Sequence, residues 1–178
     1  MNHKEKILLY ASNLWYFGSG MFGPLIAIFT QKIGGSILDI SWAWATYLVI
    51  TGVLMIVIGK ISDHKVSKRK LIITGYSLNA FFTFSYLLVS KPYHLFIVQA
   101  GLGLATALST PTWDALYAKY ETKKSAGYIW GLAIGEGQIL TGIAIIIGGL
   151  IVSYLSFNIL FISMGAIQVL ATLYQSRF

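Results

Sequence analysis

Six stretches of this chain run apolar for about 18 residues or more, the length that crosses a bilayer core of about 30 Å as a helix. They extend from Ile7 to Thr30, Trp42 to Gly59, Leu71 to Ser90, Tyr93 to Ala118, Ala126 to Ser153 and Phe157 to Tyr174. The runs are continuous rather than alternating, which favours helices over a membrane barrel. Only 11% of residues are charged, against about 25% in soluble domains. The pattern therefore predicts an all-α membrane protein, a single bundle of six transmembrane helices covering 1–178. The break between the fifth and sixth runs, around Ser153 to Asn158, is almost uncharged.

Charge gives the bundle a direction. Of 13 Lys and Arg, 11 fall before the first run, after the second, after the fourth and after the sixth. The other segments carry two, Lys32 and Lys91. This bias predicts that both termini and the basic loops face the cytoplasm. It also accounts for the net charge of +7, which lies in short loops instead of a nucleic-acid-binding patch. Trp42, Trp44 and Tyr93 fall at the predicted outer boundary, and Trp113, Tyr117, Tyr120, Tyr128 and Trp130 at the inner one. The basic start runs into a long apolar segment without a small-residue cleavage site, so the first helix is expected to be retained. There are no cysteines, and so no disulfide framework or thiol chemistry.

The densest charge lies in Gly59-Lys60-Ile61-Ser62-Asp63-His64-Lys65-Val66-Ser67-Lys68-Arg69-Lys70, with one acid and five Lys or Arg. This loop resembles the signature G-x-L-x-D-R-x-G-R-R/K of the major facilitator superfamily, which joins that family's second and third helices. Gly59, Ile61, Asp63 and the Lys68-Arg69-Lys70 cluster carry the match; His64 stands at the first Arg, and Val66 or Ser67 at the second Gly. Gly59 would permit close helix approach, and Asp63 would cap a helix or pair with cations. Gly18, Gly20, Gly23 and Pro24, the segment Gly101 to Ala105 with Pro111-Thr112-Trp113-Asp114, and Glu121 to Gly127 resemble further parts of the family. Gly148-Gly149 matches the end of its antiporter motif, but Ala144-Ile145 replaces the Gly-Pro, so antiport is not supported. The Arg common in its fourth helix falls at Ile97, beside Gln99.

The resemblance implies a secondary active transporter of a small solute working by alternating access, and it covers the first six-helix half of that fold. Full members hold two such halves related by an axis along the membrane normal. A parallel homodimer or a separate second half would complete the twelve-helix pattern. The alternatives are a non-transporting assembly or binding subunit and a truncated transporter remnant. By the resemblance, Gly59, Asp63, Lys68, Arg69 and Asp114 belong to the gating apparatus. Asp114 is otherwise read as an interfacial ion pair with the loop or Lys119.

Ionisable groups at membrane depth are costly and so point to function. Glu136 lies about 10 residues, or roughly 15 Å, into the fifth run. It is either a proton-coupling or cation-binding carboxylate or a neutral acid bonded between helices. Asn13, Trp15, Tyr16, Ser19, Asn79, Gln99, Thr106 and Gln138 are further cavity candidates. Gly127, Gly131 and Gly135, and Gly101, Gly103, Ala105 and Ala107, are predicted to let helices approach closely, as packing or as a sliding interface. No Walker loop, HExxH or paired-Asp motif is present, and His3, His64 and His94 fall near the predicted surfaces, so an enzyme is not indicated. No cofactor or metal is implied beyond a coupling proton or cation. The absence of Lys and Arg from mid-span favours neutral, cationic or apolar substrates. The expected location is the inner membrane of a prokaryote.

Overall fold

A computed structural model describes residues 2–64, 66–120 and 126–178. The chain forms α1 (His3–Gly20), α2 (Leu25–Lys32), α3 (Ile37–His64), α4 (Lys68–Ser85) with a 3-10 turn at Tyr86–Leu88, α5 (Pro92–Tyr120), α6 (Ala126–Tyr154) and α7 (Phe157–Gln175). Among the described residues there are no strands, and five helices, α3 to α7, are long and apolar enough to cross a membrane.

The first apolar run differs from its expected single helix. It is divided at Met21–Pro24. Pro24 has no N–H to continue the ladder, and glycines at 20 and 23 cheapen a bend. The chain crosses the break on tighter bonds, Gly23 N–H to the Gly20 carbonyl (3.3 Å) and Leu25 N–H to that of Phe22 (2.8 Å). Elsewhere the predicted runs match the helices to within a few residues, apart from α3, which is longer at both ends. The uncharged break before the last run is made by Ser156, whose hydroxyl caps α7 by accepting from Ile159 N–H at 3.3 Å. Such a cap contributes about 1 kcal/mol.

α5 lies at the centre, packed on α3 and α4, and α1 packs on α6 and α7. Small residues set the α5 contacts. A Cβ on Gly103 would come within 2.9 Å of the Tyr47 carbonyl, and one on Gly101 would enter the Phe82 ring. Ala105 and Ala107 are fully buried. α6 meets α1 in the same way, since a Cβ on Gly148 would strike the Met21 carbonyl at the break. Two cores result. One gathers the rings of Phe22, Phe29, Tyr86, Phe157 and Phe161, with Tyr86 and Phe161 stacked at 5.1 Å. The other joins Leu8, Leu9, Ile72, Leu116 and Tyr117.

Two sequence expectations change here. Among the described residues Gly127, Gly131 and Gly135 pack against nothing; a Cβ on any of them would meet no described atom within 4 Å. The same holds for Gly59, so the signature glycine makes no close approach to any of the described residues. Trp113 and Tyr117 also pack within the bundle. Their rings stack at 4.4 Å, Trp113 Nε1–H donates to the Leu8 carbonyl (3.1 Å), and Tyr117 O–H to that of Ile129 (3.1 Å).

Candidate functional site

Two adjoining hollows share Trp15, Tyr16, Tyr47 and Thr106. The first, of about 260 Å³, has Trp44 on α3, Asn79 and Thr83 on α4 and Gln99 on α5 in its wall. The second, of about 330 Å³, reaches Trp113 and Asp114 on α5 and Trp130, Ala133 and Ile134 on α6. α3 and α6 thus supply opposite flanks, and α1 and α5 the floor between them. Gly23 also lines the first hollow, which places the α1–α2 break at its edge.

Local chemistry orders the rings. Trp15 sits 4.7 Å from Tyr76, and Trp44 5.6 Å from Tyr47. Tyr47 Oη and Thr106 Oγ1 are 3.2 Å apart, joining α3 to α5 across the shared wall. Gln168 on α7 donates from Nε2 to the Trp15 carbonyl (3.1 Å) and to Ser19 Oγ (3.0 Å), which fixes this part of α1 from behind.

Trp15, Tyr16 and Gln99 therefore come together as cavity residues, and Asp114 joins Trp15 and Tyr16 in the second hollow. Ile97, at the family's Arg position, points away from them and is 62% exposed. Asn13 and Glu136 line neither hollow. They meet at the α1–α6 interface, where Asn13 Nδ2–H donates to Glu136 Oε2 at 2.6 Å. Asn13 instead faces a separate hollow with Tyr10, Phe17, Leu140 and Tyr174. Gln138 stands exposed on α6, between the uncovered glycines 135 and 142.

At the signature loop, Lys68 Nζ donates to the Ser62 carbonyl (2.8 Å) and pairs with Asp63 (3.2 Å). A cation at the end of α3 satisfies a terminal carbonyl and offsets an acid at the unfavourable end of the helix dipole. Arg69 donates to the Ser176 carbonyl at 3.0 Å. The ion pair expected between Asp114 and the loop or Lys119 is not formed among the described residues; Lys119 lies over the Tyr120 ring at 5.7 Å. Lys65 and residues 121–125 of the family-like segment 121–127 fall outside the described residues.

Sequence reasoning did not single out Tyr47, Tyr76, Thr83 or Tyr86 as cavity residues, and it placed Trp44, Trp113 and Trp130 at the membrane boundaries. Their helices are apolar on every face, so periodicity gives no inward side.

The family model of the Major Facilitator Superfamily matches residues 8–176. The chain belongs to this superfamily and is an integral membrane protein. It is also 26% identical, over 156 residues, to an uncharacterised MFS-type transporter of Methanocaldococcus jannaschii. The match covers 88% of this chain and 40% of that relative, so the chain spans well under two thirds of the protein it resembles.

Proposed function

We propose that the chain is one six-span unit of a secondary transporter that moves a small solute by alternating access, with a second six-helix unit facing the two hollows. In this reading α1 and α2 together make the first crossing, and both termini lie in the cytoplasm of a prokaryotic cell. The observation that carries it is the uncovered state of the two flanks. Only 11% of the apolar window of α3 and 17% of that of α6 is buried, against 56% for α5. A soluble partner is not needed to cover such faces in lipid, but the α6 face also bears a row of open glycines with Gln138 among them. Small residues beside one amide are what a closely approaching helix uses. The second unit is a copy of this chain or a separate half.

Glu136 supports coupling by a proton or cation in this reading. Its carboxylate ties α6 to α1 through Asn13, so gain or loss of charge there would change how those two helices hold together.

The lack of cysteine makes the test direct. Single Cys at Gly131 on α6 and at Gly52 on α3, both with open surroundings, are oxidised or cross-linked in native membranes. Linked products at both positions, together with solute counterflow in proteoliposomes, are expected. Monomers at both positions and no counterflow would overturn the reading.

A further inference from the structure

The two hollows carry a one-sided charge. Among the described residues, Asp114 is the sole carboxylate in their walls, and no Lys, Arg or His joins it. Among the described residues it has neither hydrogen bond nor ion pair; Lys68 pairs with Asp63, and Lys119 lies over Tyr120. Around it the walls are aromatic, with Trp15, Tyr16, Trp44, Tyr47, Trp113 and Trp130. Deeper in, Asn79 is 97% buried by its 3% exposure, and its amide nitrogen has no partner among the described residues. Buried polar atoms without partners are uncommon in folded chains. This one faces a hollow.

These features select by charge. An unpaired carboxylate attracts a cation, and the negative faces of indole and phenol rings add to the attraction. An anion would meet Asp114 with no compensating cation among the described lining residues. A divalent metal ion takes six or more oxygen ligands, and no group of three His, Cys, Asp or Glu occurs among the described residues. The hollows together have the size of a site for an organic molecule.

We propose that the hollows bind an organic monocation with an aromatic or apolar body, its charge at Asp114 and its body against Trp15, Tyr16 and Tyr47. This rests on the hollows being half of a solute site, and it names the class of solute. Asn79 faces any hydrogen-bond acceptor that the body carries.

The probe is tetraphenylphosphonium, with tetraphenylborate as its counterpart of equal shape and opposite charge. Equilibrium dialysis with the purified full chain in mild detergent measures both. Saturable binding of the cation alone is expected. Asp114→Asn is expected to weaken it by about tenfold or more, and Asp114→Glu to keep it within about threefold. Trp15→Ala is expected to weaken it by roughly threefold to tenfold. Asp39→Asn, which alters an acid bonded to Ser36 at the start of α3, is expected to leave it unchanged. Equal saturable binding of the borate, insensitivity to Asp114→Asn at unchanged melting temperature, or no saturable cation binding would each overturn the proposal. Transport is read separately. Asp114-dependent binding without exchange of the cation across vesicles keeps this site and overturns the transport reading. Counterflow of another solute by a chain that does not bind the cation does the reverse.

Discussion

α5 and α6 are both 29 residues long and both carry rows of small residues, glycine and alanine in α5 and mostly glycine in α6, yet these small residues do opposite things. In α5 they are filled from both sides, by Tyr47 and Thr51 of α3 and by Phe82 of α4. In α6 one set, Gly137 and Gly148, meets Tyr16 of α1 and Met21 at the break after it, while Gly127, Gly131 and Gly135 meet nothing among the described residues. A glycine row shows that a helix can be approached closely. It does not show by what, and here the chain supplies the approaching helix for one row and leaves the other for something outside itself.

The sharpest way to break this contrast is a matched pair of substitutions. Gly101→Leu forces a side chain into the Phe82 ring, and is expected to cost about 3 kcal/mol of stability through overpacking. Gly131→Leu enters open space, and is expected to shift stability by less than about 0.5 kcal/mol while abolishing counterflow and the cross-link of a Cys at Gly52. The melting temperature of each purified variant checks the first half of the contrast; equal losses would erase it. A smaller effect belongs to the α1–α6 seam. Glu136→Gln keeps a partner for Asn13, so a loss of about 1 kcal/mol or less is expected from the weaker, uncharged bond. Its counterflow is expected to lose dependence on pH, and an unchanged rate and pH profile would remove Glu136 from coupling. The smallest effect is at the loop. The Lys68–Asp63 pair is partly exposed, with Asp63 64% accessible, so Lys68→Ala is expected to cost under about 1 kcal/mol, measured by thermal unfolding. A much larger loss would mean that the loop holds α3 against α4 more firmly than one pair and one carbonyl cap allow.

The helices were legible because lipid imposes a minimum apolar length, and α4 through α7 obey it closely. The division of the first run had a visible signal in Gly20, Gly23 and Pro24, but the length criterion passes over it. The site was legible only where a residue breaks the apolar background. Trp15, Tyr16, Gln99 and Asp114 stand out and do line the hollows. Glu136 and Asn13 stand out equally and pair with each other in a seam instead. Tyr47 and Tyr86 carry no such mark, because which face of an all-apolar helix turns inward is decided by its neighbours. Gly127, Gly131 and Gly135 show the same limit, since their spacing is shared with packed rows.

The bend at Met21–Pro24 bears on how the first hollow would respond to mutational scanning. Gly23 has no side chain, so whatever it presents to that hollow is main chain. Replacing side chains one at a time by alanine would leave this portion of the wall chemically intact. A scan would then assign selectivity to the rings and amides alone, and the share owed to peptide groups would emerge only from changes that alter the bend, such as Pro24→Ala.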